Sequence, residues 1–509
     1  MTDCASPIAE TGLGRVRGVA LEDGLVFRGI RYARDPLGDL RFAPPAEPEP
    51  WSAVRSAEEF GPAVPQTIDL GRREMFGLPD YVTSEVGSLT LNVWTPAVDD
   101  ARRPVLVWIH GGAFSWGSGS DPVYDGHRLS TRRDVVVVTI NYRLGALGFL
   151  ALPGVPGSGN VGLLDQLAAL RWVRRNIAGF GGDSDNVTIF GQSAGAVSIA
   201  AHLAAPPSRG LFHRAIMQSG SGEMVLSAEE ASTRAAEFAR LLGTVPEDLE
   251  RLRTIPVEDL LTAQERFDAI MEERGELAAF LPVIDGMLLS ERPLDAVSAG
   301  RGAPVPLLLG STRDEARLFT ELLPGPEPSE EDLLALLSDH RDPTAARSGY
   351  AALDERTAPR DLFAAILGDR LFAAPTERLA VAHARAGHPT WRYEFRYRSP
   401  IRDGALGACH SLDIPFVFDL LETDAARRFA GSHAPAALAE RIGAGWVALA
   451  RTGIADWPPF DPESRRTLLL DEHSAPVDDP YGARRALWPE QEQQGPPAPD
   501  SVSTAARFA

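Results

Sequence analysis

The sequence predicts an α/β fold with a mostly parallel central sheet flanked by helices. Three observations carry this. Continuous apolar runs, PVLVWIH at Pro104–His110, VVVVTIN at Val135–Asn141 and VPLLLG at Val305–Gly310, suit strands covered on both faces. Helical patterns alternate with them, most clearly at Leu163–Ile177, where Leu164, Leu167, Leu170, Val173 and Ile177 recur at helical spacing. A short apolar strand at Val187–Phe190 turns directly into an Ala-rich helix at Ala194–Leu203. Strands alternating with helices build a parallel sheet because each crossover returns the chain to the same end of the sheet.

In chain order, residues 11–51 read as short strands and turns that end in a Pro-rich stretch unable to form a helix. LTLNVW at 89–94 alternates like a half-buried strand, and WRYEFRY at 391–397 alternates as a strand. Residues 228–275 are polar, acidic and helical in pattern, as an insertion covering one end of the sheet would be. Glu440–Ala450 reads as a helix with one apolar face. Length alone suggests about three domains, but no repeat and no long linker divides the chain. The expectation is one large domain over 1–489 and a disordered tail over 490–509, whose EQEQQGPPAPDSVSTAARFA holds few apolar residues.

The 509 residues are 44% hydrophobic and 24% charged, an ordinary globular composition. A net charge of −20 argues against nucleic acid and anionic membranes as partners. No apolar run reaches membrane-spanning length. The start, MTDCASPIAETGLG, lacks the basic region and apolar core of a signal peptide, so a cytoplasmic protein is expected, as monomer or homodimer. Its two cysteines, Cys4 and Cys409, do not suggest a disulfide framework. The chain has no lysine, which excludes a Walker A lysine, a pyridoxal phosphate Schiff base and a Ser-Lys dyad. It has no H-E-x-x-H and no C-x-x-C, so neither a metal nor a cofactor is expected.

The strand–helix junction at 187–204 carries the chemistry. Gly191-Gln192-Ser193-Ala194-Gly195 is G-x-S-x-G. Glycines on both sides let neighbouring backbone approach, and the Ser hydroxyl stands at a helix N-terminus, where free N–H groups favour negative charge. The pattern alone is weak, and the strand before and helix after it make it a candidate nucleophile. A serine needs a base to take its proton, a carboxylate to orient that base, and N–H donors for an oxyanion. In this architecture the acid and then the histidine follow the serine. Of the later histidines, His410 lies on a loop after a late strand, whereas His383 and His388 precede that strand and His340 falls in a helical pattern. Asp314 and Glu315 both follow the VPLLLG strand, and position does not choose between them. The glycine loop His110-Gly111-Gly112-Ala113-Phe114 follows another buried strand and, with the amide of Ala194, could hold an oxyanion.

Taken together, FRGIRYA, RFAPP, LTLNVWTP, VLVWIHGGAFSWGSG, NYRLGALGFL, the stretch from GNVGLLDQ to GQSAGAVS, MQSGS, PVIDG, LLLGSTRDEA, HSLDIPFVF and WPPFD resemble the type-B carboxylesterases from about Gly18 to Asp471. That family includes bacterial para-nitrobenzyl esterases, animal carboxylesterases and cholinesterases. The resemblance implies the α/β-hydrolase fold and a serine esterase acting on a small ester. It implies Ser193 as nucleophile, His410 as base and Glu315 as acid, with oxyanion donors at Gly112, Ala113 and Ala194, supported by Gly111 and Ser219. Phe114, Trp116, Met224 and Leu226 are the expected pocket residues. The same triad could serve a lactonase, amidase or acyltransferase, and the fold also carries non-catalytic binding proteins such as neuroligins. Several positions depart from the family. Gln192 stands where many relatives have Glu, Ala316 where Gly usually follows the acid, and Ser88 where a disulfide cysteine is usual. Residues 65–88 contain Phe76 and Tyr81 but no Trp, which argues against cholinesterase activity.

Overall fold

The computed structural model describes residues 6–67, 73–74, 77–322, 327–354 and 356–488. Phe76, Cys4 and the tail expected to be disordered lie outside the described residues. Three short strands, β1 (Ile8–Thr11), β2 (Gly14–Arg17) and β5 (Arg55–Ser56), make a small sheet at the N-terminal side. The central sheet has eleven strands among the described residues. Those up to the elbow are β3 (Val19–Leu21), β4 (Gly24–Arg31), β6 (Thr90–Thr95), β7 (Arg103–Ile109), β8 (Val136–Ile140) and β9 (Gly182–Gln192). After it come β10 (Arg214–Gln218), β11 (Leu307–Thr312), β12 (Thr390–Phe395), β13 (Thr467–Leu470) and β14 (Ala475–Val477). Their spatial order is β14-β13-β12-β11-β10-β9-β7-β8-β6-β4-β3. From β13 across to β8 all neighbours run parallel, and antiparallel strands close both margins. This is the mostly parallel α/β-hydrolase sheet that the sequence predicts.

The apolar runs are buried on both faces for a visible reason. Along β7, Val105, Val107 and Ile109 enter one apolar cluster, and Leu106 and Trp108 enter another on the opposite face. Helix Val161–Asn176 and the elbow helix Ala194–Ala204 cover the first face, and Ala436–Thr452 covers the second. The predicted half-exposure of LTLNVW is not found, since β6 is buried at all six positions. Its Asn92 and Thr95 side chains point inward and are paired. Asn92 donates to the Gly119 carbonyl at 3.2 Å and to the Thr139 hydroxyl at 3.0 Å, and the Thr95 hydroxyl donates to the Phe180 carbonyl at 2.8 Å. β12 is likewise fully buried, with its Arg392 guanidinium 3.2 Å from Glu377. A period-2 pattern marks the two faces of a strand, but a polar face can be an internal hydrogen-bonded one.

The acidic insertion forms three helices, Ala228–Leu241, Leu249–Thr254 and Val257–Glu273. The first is started by a capping box, in which the Ser227 hydroxyl accepts from Glu230 N–H and the Glu230 carboxylate accepts from Ser227 N–H. Phe238, Phe267 and Phe280 pack ring to ring and hold the insertion together. No helix among the described residues is long and apolar enough to cross a membrane.

Candidate active site

The elbow conformation follows from its neighbours. Ser193 has φ 56° and ψ −125°, outside the regions an L-residue favours, which costs on the order of 1–3 kcal/mol. Its N–H donates to the Gln218 carbonyl at 2.9 Å, and its own carbonyl accepts from Val197 N–H at 2.9 Å. Gly195 cannot be replaced, because a Cβ there would lie 1.9 Å from the Ile109 carbonyl oxygen at the end of β7. The helix therefore starts hard against the sheet, and the Ser193 side chain is left facing a pocket. Among the described residues no group hydrogen-bonds its hydroxyl.

Of the two candidate acids, the fold separates Glu315 from Asp314. The Nδ1 of His410 lies 2.5 Å from a Glu315 carboxylate oxygen, and both side chains are buried. The other Glu315 oxygen accepts from Thr312 N–H at 2.8 Å. Asp314 turns the other way and accepts from Ala408 N–H at 2.9 Å. Two further backbone bonds join the same loops, Asp314 N–H to the Ala408 carbonyl at 2.9 Å and His410 N–H to the Glu315 carbonyl at 3.1 Å. Phe319 and Phe372 pack against the imidazole, with ring centroids 5.3 and 4.6 Å away. With Nδ1–H given to the carboxylate, Nε2 carries the lone pair. That lone pair faces the Gln192 side-chain amide, whose nitrogen is 2.9 Å away.

The glycine loop presents donors and hides acceptors. Gly112 has φ 107°, Ala113 φ 52° and Phe114 φ 59°. A Cβ at Gly112 would sit 1.8 Å from the Trp116 carbonyl oxygen, so only glycine fits. The Gly112 carbonyl accepts from the N–H groups of Ser115 and Trp116, at 2.9 and 3.0 Å, and the Phe114 carbonyl accepts from Gly145 N–H at 2.6 Å. The Gly111 carbonyl lies 2.8 Å from the His110 ring Nδ1. Among the described residues the N–H groups of Gly112, Ala113 and Ala194 meet no acceptor, and all three residues line the pocket with Ser193 and His410.

The pocket has a volume of about 240 Å³. Phe114, Trp116 and Met224 are in its wall, as the sequence suggests, and Gly111 joins them. Leu226 is not. It packs with Ala231 and Val283 in a separate apolar cluster, because its backbone pairs with the segment around Val283 and turns the side chain away. Ser219 is fully buried at φ 52°, its N–H donates to the Gly310 carbonyl at 2.8 Å, and its hydroxyl has no partner among the described residues. The remaining walls come from stretches without a motif, namely the insertion (Asp268 to Leu281), Leu318, Phe319, Phe372 and the segment Ala425–Phe429. Their only sequence signal is a cluster of apolar and aromatic residues.

Behind the base, Asp413 accepts from the Gln218 side-chain amide at 2.9 Å and from the Tyr393 hydroxyl at 3.1 Å. Burial, helped by the nearby Glu315 charge and opposed by these hydrogen bonds, pushes its carboxyl up to about 6. Gln218 thus ties the loop of His410 to the backbone of Ser193. Burial also drives the neighbouring Cys409 thiol well above its ordinary value, which keeps it protonated and unreactive. Among the described residues no group of three or more His, Cys, Asp or Glu side chains could hold a metal ion.

Known proteins resemble this one over almost the whole chain. The sequence model of the carboxylesterase family matches residues 5–488. Para-nitrobenzyl esterase of Bacillus subtilis is 38% identical over 488 residues, covering 94% of this chain and 97% of its own. Phenmedipham hydrolase of Pseudarthrobacter oxydans is 38% identical over 486 residues, covering 92% and 96%. Among solved structures, a carboxylesterase of Geobacillus stearothermophilus superimposes with a TM-score of 0.84 at 39% identity, over 95% of this chain and 100% of that one. A para-nitrobenzyl esterase superimposes with a TM-score of 0.85 at 37% identity, over 96% and 100%.

Proposed function

Because the chain belongs to the carboxylesterase family, we propose that its ester hydrolysis runs through an acyl-enzyme on Ser193, with His410 as base and Glu315 as the acid that orients it. The chain is a carboxylic ester hydrolase. The observation that carries the residue assignment is the 2.5 Å contact between His410 Nδ1 and Glu315 beside a hydroxyl held at a strained elbow.

The geometry supports the following steps. Ser193 Oγ attacks the ester carbonyl as its proton passes to His410 Nε2. The oxyanion receives hydrogen bonds from the N–H groups of Gly112 and Ala113 on the glycine loop and of Ala194 at the start of the elbow helix, none of which meets an acceptor among the described residues. His410 then protonates the departing alcohol. Water, deprotonated by the same imidazole, releases the acid from Ser193. Glu315 accepts the Nδ1–H throughout and stabilises the imidazolium. A fluorophosphonate probe tests the assignment. It should label one site, and peptide mapping should place it on Ser193. Labelling of another residue would move the nucleophile.

The loop also bears on substrate shape. The Gly111, Gly112 and Phe114 carbonyls are all engaged inside the protein, so none of these projects beside the reacting carbon. That leaves space for a fully substituted alcohol carbon. Slow but measurable hydrolysis of tert-butyl acetate is expected, read as tert-butanol released above a Ser193→Ala blank. If para-nitrophenyl acetate is turned over well while tert-butanol never exceeds that blank, the loop argument is wrong. Activity appearing only in Trp116→Ala would place the block in the pocket wall.

A further inference from the structure

We propose that Gln192 is a positioning residue that holds His410 in an unprimed state in the free enzyme, and that its amide must leave Nε2 before Ser193 can react. The proposal rests on the assignment of Ser193 and His410 above.

Gln192 is the last residue of β9, and its buried side chain reaches across the floor of the pocket. Its amide nitrogen lies 2.9 Å from His410 Nε2, and a Cβ built on Gly111 would lie 3.0 Å from its amide oxygen. The side chain therefore spans from the oxyanion loop to the base, in room that Gly111 leaves free. Its N–H donates to the one lone pair that can take the serine proton, because the other ring nitrogen serves Glu315. An imidazole nitrogen has a single in-plane lone pair. Ser193 and Gln192 thus compete for it, and among the described residues the Ser193 hydroxyl is the one left without a partner.

The contact is not needed to keep the ring in place. Glu315 holds Nδ1, the backbone N–H of His410 is tied to the Glu315 carbonyl, and Phe319 and Phe372 clamp the ring. Priming exchanges one hydrogen bond for another. The Gln192 N–H to Nε2 bond breaks, the Ser193 O–H to Nε2 bond forms, and no covalent bond changes. A glutamate here would have no hydrogen to offer Nε2 when ionised.

The test is the second-order rate of fluorophosphonate labelling of the free enzyme at pH 8, per titratable active site, in wild type, Gln192→Met and Gln192→Ala. Met keeps the volume and removes the donor, whereas Ala removes both. Both variants should label Ser193 about three- to tenfold faster than wild type, the factor a single net hydrogen bond commands. Thermal melting of Gln192→Met checks that packing is kept. Unchanged or slower labelling of Ser193 in Gln192→Met would overturn the proposal and make the amide a neutral or supporting contact. Labelling at a residue other than Ser193 would instead overturn the assignment on which it rests.

Discussion

Ser193→Ala is expected to lower kcat for para-nitrophenyl acetate by about 10⁵-fold or more with the fold intact. No group among the described residues bonds the Ser193 hydroxyl, so its removal strands no buried partner. The strained φ of 56° is set by the tight start of the elbow helix, and alanine meets it at much the same steric cost as serine. The N–H donors at Gly112, Ala113 and Ala194 survive the change. A small rate above that of water should therefore remain, as these groups still stabilise charge on an ester attacked by water. Turnover with active-site titration, together with a thermal melt, separates this outcome from misfolding. Near-normal turnover in a folded variant would place the chemistry elsewhere.

Glu315→Gln should lower kcat by about 10⁴-fold, and Asp314→Asn by less than about tenfold. The two carboxylates are adjacent in sequence and opposite in role. Glu315 faces the imidazole at 2.5 Å, while Asp314 caps the Ala408 N–H. An amide at 315 lacks the charge that stabilises the imidazolium, and it can present its NH₂ to Nδ1 and favour the wrong tautomer. An amide at 314 can still accept from Ala408 through its carbonyl oxygen. Steady-state kinetics of both variants decide the matter, and the reverse ranking would make Asp314 the acid.

The elements that were legible in the sequence are those dictated by local chemistry. The runs that became β7, β8 and β11 announce their burial by being apolar throughout. The elbow announces itself because only glycine tolerates the Ile109 and His110 carbonyls at such close range. What stayed illegible depends on residues far apart in the chain. Nothing local told Asp314 from Glu315, because the choice is made by the path of a loop 95 residues away. The Gln192–His410 contact spans 218 residues and has no motif. β6 reads as half-exposed, and β12 alternates polar with apolar residues, because polar side chains of both strands pair inside the protein rather than with water. Leu226 is an expected pocket residue only two positions from Met224, yet backbone pairing with the Val283 segment turns it away.

The three backbone N–H hydrogen bonds that lace the 314–315 turn to the 408–410 loop have a consequence for behaviour in heat. They act like rungs between two rails, so acid and base travel as one plate fastened to the ends of β11 and β12. Such a plate has no soft joint of its own to fail early. Inactivation on warming should therefore track the melting of the sheet itself, with residual activity and circular dichroism falling along a single curve. An enzyme that went silent many degrees before its sheet melted would show that the rungs come apart independently.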